Sequence, residues 1–590
     1  MTGKVIDIDA IIQPDNLARE LVDKFISWDI ARRNWLDQKV ELRNYLFATS
    51  TVGTTNETLP WKNKTHRPKL TQIRDNLHAN YMSALFPKRN WFQYIGNNEE
   101  EENKEKRRVI EAYVSNKVRL SEFVTKMSRL VLDYIDYGNA FAQVDFVRKT
   151  ITDTGGEERE VYVGPVLNRI SPYDIVFNPL APDFINSPKM IRNIVSLGEI
   201  KKIIEEQPER GYLADVFTKI VELRRTLQSE GSDDFEKNEA LQIDGFSNFH
   251  EYLSSGMVEL IQVYGDIYDV ETGEYKKNRI ITIADRSYVL QDEEIQTYSG
   301  NPAIFHAGWR LRPDNLYAMG PLDNLVGLQY RLDHLENLKA DVFDLIAFPP
   351  LKIIGDVSDF RWGPLEKIYI AEDGDVTTMQ LDTAALNADL QIAEIERTME
   401  EMAGAPREAM GIRTPGEKTA FEVDVLQNAA SRVFRNKVQY FEEIFVEPIL
   451  NAFLEIGRRN LDTVDQIRIF DEETDAAVFQ SITREDLTAT GAIRAIGARH
   501  FAEKAETVQN LVNFMNSGVG QDEAVKAHFS GFKIAKMMED LLDLQAYDLV
   551  SRNVRLMEAE ETQRLANSAE QGLAEEDLTS GLETAQLQLP

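Results

Sequence analysis

Leucine residues recur at steps of three and four after Gly320, and this spacing predicts one amphipathic helix. Proline is favoured at the first helical position, so we place the start at Pro321 and the end at Phe348, before Pro349 and Pro350. The apolar stripe consists of Leu322, Leu325, Leu328, Leu332, Leu335, Leu338, Val342 and Leu345. The other face carries Asp323, Arg331, Asp333, Glu336, Lys339, Asp341 and Asp344. An ordinary helix on a globular core has the same pattern.

A small β-rich insert and a second helix follow this first helix. Short strands are predicted at residues 351–354, 367–370 and 376–381, because β-branched and aromatic residues alternate there with glycine-containing turns. The second helix is predicted at residues 384–402. Two helices that flank a small sheet form a rod with a distal knob. A sheet of this size is marginal alone, so we expect an adjacent copy of the chain to support it.

The third helix of this region has a strong start signal. Thr414 and Glu417 form a capping box, and Pro415 occupies the first helical position between them. The apolar positions that follow predict a long helix that includes Pro448. An interior proline removes a hydrogen bond and clashes with the preceding turn, so we expect a kink near Ile444.

The rest of the chain predicts a mixture of helices and strands. Before the rod, helices are predicted at 15–47, at 70–85, from the charged stretch 97–106 to about 134, and at 196–226 with a break near Pro208. Strands are predicted in the same region at 140–147, 160–166 and 174–177. A β-hairpin is predicted from the strands 257–269 and 279–289. After the long helix, strands are predicted at 466–470 and 487–496, helices at 501–515, 522–527 and 534–544, and disorder at 570–590. The predicted fold class is therefore α+β, mainly helical.

This order of elements resembles a known family. A helix, a β insert, a second helix, a loop and a long kinked helix are the layout of portal proteins, the head-to-tail connectors of tailed bacteriophages, in the style of the short-tailed phages. Further stretches of similar character are 67–87 (RPKLTQIRDNLHANYMSALFP), 137–147 (YGNAFAQVDFV), 171–179 (SPYDIVFNP) and 404–423 (GAPREAMGIRTPGEKTAFEV). The resemblance covers roughly residues 20–540. It rests on the order of the elements and on the residue types within them more than on any fixed sequence signature.

The resemblance implies a wing, stem, clip and crown architecture assembled as a ring, typically a dodecamer. The implied domains are 1–318 for the α+β wing and body, 319–345 for the first stem helix, 346–383 for the β-rich clip, 384–404 for the second stem helix, 405–414 for the tunnel loop, 415–480 for the long kinked wing helix and its return, 481–548 for the crown, and 549–590 for a helical, partly disordered tail.

The resemblance also implies a function without catalysis. Such a ring forms the channel at one capsid vertex through which viral double-stranded DNA is packaged and ejected. The implied partners are the terminase large subunit, the major capsid protein, the scaffolding protein and head-to-tail adaptor or tail proteins. The implied location is the portal vertex of the virion, and the host cytoplasm during assembly.

Basic side chains on the predicted channel wall are candidate DNA contacts, and the clip offers candidate docking residues. The channel and tunnel-loop candidates are Arg407, Arg413, Lys418, Arg331 and Lys339. The clip candidates are Lys352, Asp356, Trp362 and Lys367. Arg413 and Lys418 have an alternative interpretation, in which they pair with nearby glutamates and touch no DNA; exposed pairs of that kind contribute only about 0–1 kcal/mol.

The net charge is −32, which is unusual for a protein that handles DNA. A protein that holds DNA needs many phosphate contacts, whereas a conduit should repel the DNA backbone and let it slide. An acidic surface also favours solubility, so the charge is compatible with a portal without identifying one. The chain contains no cysteine, which excludes disulfides and thiolate sites. It starts without a signal-peptide pattern and has no apolar run of membrane-spanning length, so we expect no membrane span.

Catalytic motifs are largely lacking from the sequence. The 7 histidines are scattered, and neither an H-E-x-x-H nor a G-x-S-x-G motif occurs. Residues 411–419 resemble a P-loop, but Glu417 is inserted between Gly416 and Lys418, and its charge would repel phosphate. We therefore expect no metal, cofactor or nucleotide hydrolysis. The alternative function is that of an acidic multidomain hydrolase with a helical insertion, whose carboxylate pair the sequence does not single out.

Overall fold

The structure of the 590-residue chain is a computed structural model that divides into two compact units, Met1–Ala498 and Arg499–Pro590. The described residues are 10–11, 17–47, 63, 65–87, 91–97, 104–152, 158–230, 256–269, 273, 275–295, 298, 300–347, 349, 351–355, 375–378, 388–403, 434–461, 465–471, 476–488, 490–497, 534 and 537. Of the described residues, only 534 and 537 belong to the second unit, so every helix and strand labelled below lies in the first.

The first unit alternates helical and β segments along the chain. The helices are α1 (Leu17–Phe47), α2 (Lys69–Leu85), α3 (Lys104–Leu120), α4 (Phe123–Asp136), α5 (Leu197–Glu206), α6 (Ala214–Glu230), α7 (Val326–Ala347), α8 (Asp389–Met402) and α9 (Glu447–Arg459). The strands are β1 (Ala10–Ile11), β2 (Phe92–Ile95), β3 (Asn139–Thr152), β4 (Glu158–Ile170), β5 (Ile175–Phe177), β6 (Lys189–Ser196), β7 (Met257–Asp269), β8 (Tyr275–Ala284), β9 (Tyr288–Glu294), β10 (Ile304–Gly308), β11 (Arg310–Arg312), β12 (Asn315–Met319), β13 (Leu351–Ile354), β14 (Asp375–Thr378), β15 (Asp465–Asp471), β16 (Ala476–Ile482) and β17 (Ala492–Ala495).

This mixture of helices and strands confirms the α+β class. Several boundaries were predicted wrongly. The helix placed from Pro321 becomes α-helical at Val326, after a 3-10 turn at Asp323–Leu325, and the strand placed at 279–289 is divided by a turn at 285–287 into β8 and β9. The single helix expected to run to about residue 134 is two helices, α3 and α4, which are separated at Ser121 and Glu122. Glu122 has a φ of 55°, in the left-handed region, and that conformation ends one helix before the next begins.

A 6-stranded sheet forms one part of the body, and helices pack on it. Strands β5 to β9 pair in sequence order, and β1 adds to β7 in parallel. Because side chains alternate across a strand, Ile261 and Val263 of β7 pack in the cluster that contains Phe25 of α1, whereas Val258 and Leu260 pack with α5 and α6. The sheet is therefore covered on both faces.

The largest core joins α2, α3, α4 and the long helix at residues 434–459, which ends with α9, to the sheet formed by β10, β3 and β4. In α4 the apolar positions Phe123, Met127 and Leu130 recur at helical spacing and are fully buried. The long helix contains a π turn at Glu442–Val446, directly before Pro448. The kink predicted near Ile444 falls within this π turn, because proline cannot donate its backbone hydrogen bond; the kink itself stays a prediction.

Candidate functional site

The paired helices α7 and α8, with strands β13 and β14, are the candidate functional region, and we call them the hairpin. Leu332 and Leu335 of α7 pack against Ile392 of α8. Leu325, just before α7, and Met399, near the end of α8, belong to the largest core of the body. Strands β13 and β14 pair antiparallel at the other end. The hairpin is thus fixed in the body at its near end and closed by a two-stranded sheet at its far end.

The far end of the hairpin leaves large apolar side chains exposed. Leu390, at the start of α8, is 82% exposed, and Phe343, in the last turn but one of α7, is 52% exposed. The other exposed apolar residues at this end are Leu345, Ile346, Ile353 and Ile354. Single exposed apolar residues are ordinary, but a group of them on α7, β13 and α8 at one end of the hairpin is typical of an interaction surface.

The near half of α7 contradicts one expectation from the sequence. Asp333 was placed on a charged face opposite the apolar stripe, yet this carboxylate is completely buried. Gln329 and Asn337, one turn to either side of it, are also buried. The reason is that residues 65–70, which we call the clasp, lie along this face and supply partners for its polar groups.

Asp333 lies at the centre of the clasp contact. It accepts hydrogen bonds from the Nδ1 of His66 at 2.7 Å, from the backbone N–H of Arg67 at 3.0 Å and from the Nε2 of Gln329 at 2.9 Å. The hydrogen bond to Asp333 raises the pKa of His66 above its ordinary value, although burial acts in the opposite direction. These three donors satisfy the oxygens of a carboxylate that is shielded from water.

Amide side chains on α7 extend the same contact in both directions. The Nε2 of Gln329 donates to the backbone carbonyl of Arg67 at 2.6 Å, and its Oε1 accepts from the N–H of Leu70 at 3.2 Å. Asn337 exchanges two hydrogen bonds with the backbone of Thr65, at 2.7 Å and 3.1 Å. Side chains four residues apart on a helix lie above one another, so these groups form a row that satisfies the extended backbone of the clasp.

Ion pairs connect the clasp to both helices of the hairpin. The guanidinium of Arg67 contacts Glu336 of α7 at 2.6 Å and Glu396 of α8 at 2.8 Å. Lys69 and Glu400 of α8 form a buried pair at 2.6 Å. The clasp therefore fixes α7 and α8 relative to each other as well as to the body.

A further buried ion pair lies at the base of α7. Lys39 of α1 pairs with Asp323, and both side chains are buried. Burial lowers the pKa of Lys39, and the hydrogen bond to Asp323 counteracts that shift. Asp323 also accepts from the backbone N–H of Gly320 at 2.8 Å, so its carboxylate fixes the chain where it enters α7.

The structure describes three of the nine predicted site residues. Arg331 is exposed on α7, with its Nη1 3.5 Å from the Nδ1 of His334. Lys339 pairs with Asp389 of α8 at 2.6 Å, and this hydrogen bond raises the pKa of Lys339. Lys352 is exposed on β13. The candidates outside the described residues are Arg407, Arg413, Lys418, Asp356, Trp362 and Lys367. The functional roles assigned to all nine stay predictions.

Neither a metal site nor a membrane-spanning helix is found within the part of the chain that the structure describes. No group of three or more histidine, aspartate or glutamate residues there is placed to hold a metal ion. No helix among the same residues is long and apolar enough to cross a membrane.

In the comparisons with known proteins, no family model matches the chain, and no curated protein sequence matches it.

The sequence contains a signal for the clasp contact that the periodicity analysis missed. Gln329, Asp333 and Asn337 are spaced by four, so they form one row on the helix. Two of the three are amides, which can donate and accept at once and so can satisfy an extended backbone. A helix face that is exposed to solvent is usually richer in lysine and glutamate.

Proposed function

We propose that the chain is a subunit of a portal ring, which forms the channel for viral double-stranded DNA at one vertex of a capsid. The observation that carries the proposal is the group of exposed apolar residues at the far end of the hairpin. A near end fixed in the body and an apolar far end suit an element that packs side by side with the same element of a neighbouring copy.

The charge of the chain is compatible with the second part of the proposal, passage of DNA through the ring. A net charge of −32 per subunit would give the assembled ring a strongly negative surface. Such a surface repels the phosphates of DNA, so DNA can pass through the channel without being held. The few basic groups of the hairpin and the tunnel loop would then make light contacts, with Arg331, Arg407 and Arg413 as the leading candidates.

The partners in this proposal follow from the resemblance of the element order to portal proteins. The far end of the hairpin, in the segment 346–383, would meet the packaging motor first and tail adaptors later. The subunit itself would hydrolyse no nucleotide, so the energy for packaging comes from the terminase. ATP turnover by the purified chain that disappears in Lys418→Ala would contradict this assignment.

The test is the mass of the purified protein and its appearance in negative-stain micrographs. We expect closed rings with a central channel. The variant Ile353→Asp should shift the population to single chains with unchanged circular dichroism, because a charge at this exposed site opposes packing between copies. A matched control is Leu180→Asp, which places the same charge at an exposed leucine of the body and should leave the rings intact. Single chains or two-fold dimers over a wide concentration range in the wild type would overturn the proposal and favour the hydrolase alternative.

A further inference from the structure

The contact between the clasp and α7 has features of a switch, independent of whether the protein forms a ring. The clasp lies between the helices of the body and both helices of the hairpin, since its last residues begin α2. Its polar contacts to α7 and α8 are made by side chains on six positions of the hairpin, namely Gln329, Asp333, Glu336, Asn337, Glu396 and Glu400. Any change in this contact changes how firmly the hairpin is held.

One group in the clasp can change its charge near neutral pH. Histidine has an ordinary pKa of about 6.5, close to neutrality, whereas the ordinary pKa values of arginine, lysine and carboxylate side chains lie far from it. The Nδ1 of His66 contacts a carboxylate that is completely shielded from water, where a charge–charge attraction is much stronger than at the surface. Protonation of His66 therefore converts a hydrogen bond between a neutral imidazole and a carboxylate into a buried ion pair.

The surroundings of His66 favour its protonated form. Asp333 contacts Nδ1 of the ring from α7, and this hydrogen bond is the largest cause of the raised pKa of His66; the backbone of Tyr45 in α1 adds a smaller effect in the same direction, and the buried Nε2 has no hydrogen-bond partner among the described residues. The neighbouring cations, Arg67 and Lys69, are each engaged with carboxylates of α7 or α8. Their positive charges are thus balanced locally and do not oppose a third one on His66.

We propose that His66 and Asp333 form a pH-dependent lock on the hairpin, closed when His66 is protonated and weakened when it is neutral. The direction follows from linkage. A group whose pKa is raised by folding contributes stability that is fully present below its unfolded-state pKa of about 6.5. That contribution is lost as the pH rises through the raised pKa of the folded protein. The hairpin is held most firmly in mildly acidic solution and more loosely in mildly basic solution.

The test is amide hydrogen exchange of the full-length chain between pH 6 and pH 8, corrected for the intrinsic effect of pH. Peptides that contain residues 65–70 and 329–341 should exchange more slowly at the lower pH, by about tenfold for each unit by which folding raises the pKa of His66. Peptides from the sheet β5–β9 serve as an internal reference, because they lie outside the contact.

Two variants make the test specific. His66→Asn keeps a neutral donor near the position of Nδ1 but cannot become charged, so its clasp peptides should lose the pH dependence. His334→Asn is the matched control on the same helix and should behave as the wild type, since His334 makes its contact with Arg331 outside the clasp. An undiminished pH dependence in His66→Asn, or none in the wild type, would overturn the proposal.

A second measurement needs no variant and so does not depend on whether His66→Asn folds. Exchange at the imidazole carbon, followed by mass spectrometry, gives the pKa of each histidine in the folded wild-type protein. We expect the midpoint of His66 to lie above about 6.5, the ordinary histidine value, and that of His334 to lie below it, because burial lowers the pKa of His334. A midpoint for His66 at or below the ordinary value would refute the lock.

Discussion

The near and far halves of α7 belong to one continuous helix but are covered in opposite ways. In the near half both the leucine stripe and the row of polar side chains are buried, the first against α8 and the body and the second under the clasp. In the far half Phe343, Leu345 and Ile346 are exposed. The near half of α7 is therefore buried by contacts within one chain, whereas the far half has apolar groups that a neighbouring surface would cover.

The largest expected effect is at Asp333. The variant Asp333→Ala leaves the donors from His66, Arg67 and Gln329 without their acceptor, and loss of one partner from a buried charged contact costs about 3–5 kcal/mol. Urea unfolding at a fixed protein concentration measures this loss. The control is Asp344→Ala on the exposed far half, which we expect to change the free energy of unfolding by about 0.5 kcal/mol or less. Equal losses in the two variants would show that the halves do not differ.

A matched pair of leucines on the same stripe gives the next effect. Leu335 is 4% exposed, and Leu345 is 42% exposed. Leu335→Ala should lower the free energy of unfolding by about 2–5 kcal/mol, because it opens a cavity between α7 and α8. Leu345→Ala should leave the stability of a single chain nearly unchanged but weaken assembly, which light scattering measures. Reduced single-chain stability with normal assembly in Leu345→Ala would contradict the division.

The smallest effect is expected at Lys339, where the two helices of the hairpin are joined by a pair at the surface. Lys339→Ala removes the contact to Asp389, a residue that is largely exposed, and water screens such pairs. Melting curves of the variant and the wild type should coincide within error, at both low and high salt. A salt-dependent loss of stability confined to the wild type would instead show that this pair contributes to the hold between α7 and α8.

Much of the fold follows from local patterns in the sequence. The spacing of leucines predicts α7. The turn residues that follow Asp269 in the sequence predict the antiparallel pairing of β7 with β8. Pro448 predicts a kink near Ile444, and the structure has a π turn at that place. These features depend on neighbouring residues, so a single stretch of sequence contains the information.

The face of α7 that carries Asp333 could not be assigned in this way. Its partners lie more than two hundred residues earlier in the chain, at His66 and Arg67. A buried aspartate and an exposed one look alike in a helical pattern, and only the tertiary contact distinguishes them. The division of α3 from α4 was missed for a related reason, since a positive φ at Glu122 has no signal in the residue type.

The row of clasp contacts also has a mechanical consequence. Asn337, Asp333 and Gln329 follow one another at intervals of four residues, about 6 Å apart along the axis of α7. A force along that axis loads all three contacts together, in shear, whereas a force that lifts the far end breaks them one at a time, beginning at Asn337. We therefore predict a hairpin that is stiff to sliding and compliant to bending. Optical-tweezer pulling in the two directions should give a higher rupture force along the axis, and equal forces would refute this geometry.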